Sequence, residues 1–340
     1  MRAMPTTPRP IAERARVDRA AFEAEIVPAA QPVVLRGQVR DWPLVTAAIE
    51  SDAAFCAALR ARASTVAGEA WFGPPAIEGR FGYDDTLTAH NFDRRLATVE
   101  QVLDLIMRQR DDPAPWAIYA GAMPVARHMP GFAATHAMPL IDADRHMLVS
   151  LWLGNRTKTA AHWDLPQNLA CVLAGRRRFT LFPTDQVANL YVGPIDFTLA
   201  GQPSSLADIE EPDFARYPKL AEAFDHALTA ELAPGDVLYM PSLWWHAVTG
   251  LEPLGAMINY WWRDGPARMM TPMLSLKHAL MTMAGLPANE KAAWRAMFEH
   301  YLFSDDPAAH LPEAARGILG DQSSEARQRL VAELAAALRR

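Results

Sequence analysis

The chain has 340 residues, 50% of them hydrophobic, with 33 basic against 39 acidic side chains and a net charge of −6. That is material for one large domain or two modest ones, and the acidic balance runs against DNA binding and mildly against RNA. The two cysteines, Cys56 and Cys171, stand in no disulfide or metal spacing, the N-terminus has no secretory apolar run, and no stretch approaches 18 apolar residues. A soluble protein of a reducing, cytoplasmic compartment is expected, with no membrane partner.

In chain order, residues 1–10 are proline-rich and read as disordered. Asp18 to Ile26 has helical spacing, with Phe22 and Ile26 four apart. Gln31-Pro-Val-Val-Leu-Arg-Gly37 reads as a short strand closed by glycine. Pro43 suits the first position of a helix running to about Ile49. A second helix is expected from Asp52 to Ala63 with Ser51 as N-cap. Val66 to Tyr83 is broken by glycines and prolines into short strands and loops. Thr98-Val-Glu-Gln101 has the form of a capping box, opening an amphipathic helix through Arg108.

From Trp116 the pattern changes to short apolar runs separated by Gly, Pro and Asn: Trp116–Gly121, Met147–Gly154, Asn168–Leu173, Arg176–Phe182, Asp236–Met240 and Gly255–Trp262. Strands at this density predict a barrel or jelly roll. A long insert from Gly193 to Ala233, with one helix near Pro218–Thr229, interrupts them; such an insert near a site shapes substrate access. After Asp264 the chain turns helical: Thr271–Ala284, Asn289–Phe303 and Ser323–Arg340. Leu330, Leu334 and Leu338 form a stripe on the last helix, which fits either packing on the domain or a second copy of the chain. The expected division is 1–115 as N-terminal helices and strands packing on the core, 116–265 as the β core, and 266–340 as a helical region.

The chemistry gathers around Thr159-Ala-Ala-His-Trp-Asp-Leu-Pro-Gln-Asn168. On a strand, His162 and Asp164 share a face. An HxD alone is weak, since a satisfied surface histidine reads the same way. His246, 82 residues past Asp164 in Gly235-Asp-Val-Leu-Tyr-Met-Pro-Ser-Leu-Trp-Trp-His246, is the candidate third ligand. The strand through Met240 is expected to stop at Pro241 and resume into Trp244-Trp245-His246. Two tryptophans beside a histidine also suit a plain core; with the HxD upstream, the ligand reading is preferred. Two histidines and one carboxylate form the facial triad of non-haem Fe(II) oxygenases.

Arg177 shares a strand face with Phe179 and Leu181. If that face is inward, its buried guanidinium needs an anion, and a co-substrate carboxylate would supply one. Arg176 and Arg178 would then face outward. Asn168 and Asn259 are amides on apolar strands, placed either to bind a ligand near the metal or to cap a strand end.

The combination T-x-x-H-W-D-x-x-x-N, G-R-R-R-F-T-L-F-P, G-D-V-L-Y-M-P-S-L-W-W-H and N-Y-W-W resembles the cupin-like branch of the JmjC oxygenases, the branch that includes the asparaginyl hydroxylase acting on hypoxia-inducible factor. The similarity runs from Pro32 through Trp262. It implies a mainly β fold, a double-stranded β-helix (jelly roll) flanked by helices, holding Fe(II) and 2-oxoglutarate as co-substrate. It places His162, Asp164 and His246 on the iron ligands. Thr159, Tyr119 and Arg177 fall on residues that hold the distal carboxylate of 2-oxoglutarate, with Arg177 replacing a lysine. Asn168 and Asn259 fall on asparagines near the iron. The resemblance further implies homodimerisation through the C-terminal helices.

The implied activity is hydroxylation of a substrate C–H, with a protein or peptide side chain favoured over a small molecule. The alternative is a metal-binding cupin without oxygenase activity, serving as a sensor or scaffold. Ketoacid-independent cupins commonly use three or more histidines, so the single carboxylate runs against them. No reader or zinc module of the kind that accompanies histone demethylases is evident in the sequence.

Overall fold

A computed structural model describes residues 7–142, 144–264, 271–320 and 323–338. One compact unit runs to Asp264 and a second follows it.

The first unit is built on eight strands: β1 (Leu148–Gly154), β2 (Lys158–Trp163), β3 (Gln167–Ala174), β4 (Arg177–Phe182), β5 (Leu228–Leu232), β6 (Val237–Met240), β7 (Trp245–Gly250) and β8 (Gly255–Trp262). They divide between two sheets, in the orders β5-β4-β7-β2 and β6-β3-β8-β1, and every core pairing is antiparallel. This is the expected double-stranded β-helix. The tight links 155–157, 175–176 and 251–254 close one end. The links 164–166 and 241–244 form the opposite, open mouth.

Strand β3 shows why the core reads as continuous apolar runs. Its Ala170 and Val172 face the other sheet, with Phe179, Leu181, Val248 and Met257. Its Leu169, Cys171 and Leu173 face outward against Phe22, Leu44, Phe55, Leu59 and Leu103. A strand buried on both faces loses the apolar–polar alternation. At its end, Gly175 adopts φ +66°, and a Cβ there would lie 2.2 Å from the Leu254 carbonyl oxygen, so only glycine fits this corner.

The N-terminal segment extends both sheets. Val33–Leu35 and Ala12–Arg14 add beyond β6, while Ala117–Pro124, Gly68–Gly73 and Asp93–Ala97 add beyond β1. Helices Pro43–Glu50, Asp52–Arg60 and Val99–Arg108 cover the outer face of the larger sheet. Ser51 caps the second through the Ala54 N–H, and Thr98 with Gln101 completes both bonds of a capping box. Asp236 ties the β5–β6 turn to the N-terminal segment, accepting from Gly37 N–H at 2.8 Å and from Arg36 at 2.6 Å.

Four expectations need correction. Residues 9–10 are ordered, pairing parallel with Leu228–Thr229, while residues 1–6 lie outside the described set. The predicted helix from Asp18 to Ile26 is broken into a short α-turn capped by Asp18 and a π-turn over Phe22–Ile26, which still buries both apolar side chains. The insert helix is shorter, Leu220–Asp225, because the chain then enters β5. The strand that ends before Pro241 does not resume: β6 and β7 lie in different sheets, so the proline marks a crossing.

The second unit contains helices Pro272–Met283, Ala288–Tyr301 and Ser324–Ala337, the first and last capped by Thr271 and Ser323. Among the described residues, no helix is long and apolar enough to cross a membrane.

Candidate metal centre

His162 on β2 and His246 on β7 are direct cross-strand neighbours, and their rings stand 4.3 Å apart between centroids. Asp164 lies one residue beyond the end of β2, not on it, and its carbonyl accepts the Leu243 N–H at 2.8 Å, fixing the mouth. Its carboxylate approaches His246 Nε2 to 3.6 Å. One ligand atom from each of His162, Asp164 and His246 lies within 4.8 Å of the others, among the described residues.

Both imidazoles are set the same way. His162 Nδ1 sits 2.9 Å from the Ala160 carbonyl, and His246 Nδ1 sits 3.1 Å from the Trp244 carbonyl. A carbonyl only accepts, so each Nδ1 carries the hydrogen, and in the neutral ring this leaves the lone pair on Nε2. Such backbone anchoring is how metal-ligating histidines are held in one tautomer. Burial, reinforced by His162, pulls the His246 pKa down to about 4, against the opposing pull of Asp164 and the Trp244 carbonyl. His246 is therefore neutral, the form a metal needs, through the physiological range. The donor set fits a divalent first-row metal with open positions.

A register shift places the next residue. Along β7 the partners of His246 and Val248 are His162 and Thr159. Three residues of β2 thus span two of β7, a bulge that turns both Thr159 and His162 inward although their spacing is odd. Deeper still, Arg177 is opposite Gly250, four residues below His246 and therefore about 13 Å from it along the strand. Arg177 is 3% exposed, its Nε has no hydrogen-bond partner, and no carboxylate among the described residues acts on it. Burial lowers its pKa, with only Tyr119 working the other way. Gly255 leaves the room: a Cβ there would stand 3.3 Å from Arg177 Nη2. Arg176 and Arg178 are spent on the surface, in ion pairs with Glu252 at 2.8 Å and with Glu231 at 2.7 Å.

Tyr119 is buried beside Arg177 and Thr159. Its pKa is pushed up to about 12 by burial, against the pull of Arg177 and a hydrogen bond with the Thr159 side chain. Asn168 and Asn259 are buried on the facing sheet and joined by a 2.7 Å side-chain hydrogen bond, leaving one amide atom of each unpaired. All eight residues singled out from the sequence thus surround one barrel interior. Missed were Ser150, Trp152 and Trp261, whose buried polar atoms also lack partners. The signal was present in Leu148-Val-Ser-Leu-Trp-Leu-Gly154, where a serine and a tryptophan occupy alternate positions of an apolar strand.

The insert runs along the outer edge of β2, past the end of its parallel pairing with Arg80–Phe81. Ser205 N–H donates to the Ala161 carbonyl at 2.7 Å, and Ser204 bridges His162. Glu210 takes hydrogen bonds from Arg178 at 2.8 Å and Thr249 at 2.9 Å. A cavity of about 170 Å³ lies at this edge, lined by Tyr83, Asn91, Ala160, Ser204, Arg216 and Tyr217.

Among known proteins, the model of a cupin-like domain matches residues 19–268. The human HSPB1-associated protein 1 is 32% identical over 148 residues, covering 42% of this chain and 30% of that protein. The lysine-specific demethylase JMJ31 of Arabidopsis thaliana is 29% identical over 125 residues, 36% of this chain and 22% of that protein. The tRNA wybutosine-synthesizing protein 5 of Gallus gallus is 34% identical over 106 residues, 31% of this chain and 30% of that protein. The matched stretches span less than a third of each relative's own length.

Proposed function

The chain belongs to the JmjC-type family of cupin-like domains, and from that premise we propose that it is an Fe(II)- and 2-oxoglutarate-dependent hydroxylase. His162, Asp164 and His246 would hold the iron, leaving positions for the keto acid and oxygen. When bound, the iron and the keto acid together supply the oxidising chemistry that hydroxylates a substrate C–H as 2-oxoglutarate is split to succinate and carbon dioxide. The protein's own part is orientation and exclusion of water.

The observation that carries this reading is Arg177. A guanidinium buried without an anion is costly, and it persists here at the closed end of the barrel, on the inward row that leads to the histidines. A keto acid reaching from the metal centre would place its distal carboxylate there, gripped by two parallel hydrogen bonds. Thr159 and Tyr119 add hydroxyl donors to the same carboxylate. Asn168 and Asn259 orient the chelating end. Phe179, Leu181, Val248 and Met257 line the path and keep it dry.

The substrate proposed is a protein or peptide side chain. The relatives are named for an HSPB1 association, a lysine demethylase and a tRNA modification, so their names point to no single substrate class. The direct test is turnover: aerobic protein with Fe(II) and labelled 2-oxoglutarate should release carbon dioxide slowly without substrate and faster with the right peptide. Release no faster than in an Asp164→Ala control would remove the oxygenase reading and leave a metal-binding cupin.

The helical unit is proposed to pair with a second copy of the chain. Its helices Pro272–Met283 and Ala288–Tyr301, with the residues just after, frame a groove lined by Leu276, Met283, Trp294, Phe298, Leu302 and Phe303. Trp294 is 50% and Phe303 68% exposed. Large apolar side chains exposed together along one groove support this pairing.

A further inference from the structure

On β1, residues 148, 150, 152 and 154 alternate onto the inward face. Trp152 establishes the parity, since it packs with Phe179, Leu181, Val248 and Met257 between the sheets. The register with β8 is unbroken, so Ser150 stands opposite Asn259 and Trp152 opposite Met257. Counted from the closed end, Gly154 lies nearest Arg177, Trp152 is one step nearer the mouth, and Ser150 comes next, level with Asn259. On the other sheet the same steps carry Arg177, then Phe179, then Leu181 beside His246.

Ser150 is fully buried and its hydroxyl has no partner; the Trp152 indole N–H is also buried without an acceptor. The fold makes room for this indole. A bulge in the neighbouring strand falls between Ala120 and Met123, and a Cβ on Gly121 would lie 2.7 Å from the Trp152 ring. Trp152 lies 5.8 Å from Tyr119, ring to ring, and so stands beside the Arg177–Tyr119–Thr159 group.

We propose that Ser150 and Trp152 are keto-acid-binding residues, a wall of two donors running between Arg177 and the His–Asp–His cluster. The inference rests on the reading of that cluster and Arg177 as a keto-acid site. The Trp152 N–H donates to the carboxylate that Arg177 holds. The Ser150 hydroxyl, level with Asn259, donates to the end that faces the histidines. Both donors sit along the length of one dianion, which is why neither finds an acceptor within the protein.

The test is a calorimetric titration of 2-oxoglutarate into the full chain loaded with Mn(II), which permits binding without turnover. Trp152→Phe keeps an aromatic ring, though a smaller one, and removes the N–H; Ser150→Ala removes the hydroxyl and disturbs packing less, which keeps the test valid if the first variant folds poorly. Each is expected to weaken 2-oxoglutarate binding roughly tenfold or more, as for the loss of a hydrogen bond to a charged group, with Mn(II) affinity unchanged. If both variants bind 2-oxoglutarate as the parent does while Arg177→Met does not, the donors serve enclosed water and the inference falls alone. If Arg177→Met also binds unchanged, it falls together with the keto-acid reading.

Discussion

His162 and His246 face each other directly across β2 and β7, each with Nδ1 held by a carbonyl of its own strand and Nε2 free. The donor set is thus shaped before any metal arrives, and Asp164 completes it from the loop beyond β2. Replacing Asp164 with Ala should abolish tight Fe(II) or Mn(II) binding while the far-ultraviolet spectrum and melting temperature of the metal-free protein stay within a few degrees. Metal titration decides; retained affinity would mean that the metal is held elsewhere.

Arg177 is expected to separate binding from stability. In Arg177→Met, loss of a buried charge-assisted pair with the keto acid should cost on the order of 2–5 kcal/mol, seen as a steep rise in the 2-oxoglutarate requirement. The ligand-free protein should melt at the same temperature or higher, because the variant no longer buries an unpaired cation. A fall in the ligand-free melting temperature with unchanged 2-oxoglutarate binding would assign Arg177 a structural role.

Much of the barrel was legible because strands buried on both faces read as short apolar runs, β3 and β8 above all. What escaped notice follows from local chemistry. Asp93–Ala97 is an edge strand with four of its five residues exposed, so Asp-Arg-Arg looks like a loop. Strand β5 hides inside the insert, since Thr-Ala-Glu alternates around an exposed Glu231 and its pairing comes from distant β4. Thr159 and His162 are three apart, which on a regular strand would put them on opposite faces; only the bulge reconciles them. Asp164 shares the histidine's space through a loop rather than through strand alternation. Arg177, by contrast, was readable from parity alone, because Phe179 and Leu181 announce the inward face.

His136 should make the fold sensitive to mild acid. It is buried against Phe132 at 4.3 Å and Trp42 at 5.6 Å between ring centroids, and its Nε2 accepts the Leu44 N–H at 3.2 Å. Burial pulls its pKa from the ordinary 6.5 to about 4. The unfolded chain therefore binds more protons between these values, so stability is fully present above about 6.5 and is lost as pH falls toward 4. Urea midpoints measured from pH 7 to 4.5 should fall in the parent and fall less in His136→Gln. Equal slopes would show that other groups govern the acid limb.

The helical unit offers a separate check. Trp294→Asp combined with Leu302→Glu should convert a dimer into a monomer by light scattering after size-exclusion chromatography, leaving 2-oxoglutarate binding by the first unit unchanged. A parent that is already monomeric at tens of micromolar would dismiss the pairing.

In the proposed complex, the His162–Asp164–His246 cluster and Arg177 hold the two ends of one chelate. Fe(II) and 2-oxoglutarate added anaerobically to the metal-free protein should produce the weak visible charge-transfer band of a keto acid chelating iron, only when both are present, and not in Asp164→Ala. Bound iron with no band on addition of 2-oxoglutarate would contradict the account and leave a cupin that holds metal without using the keto acid.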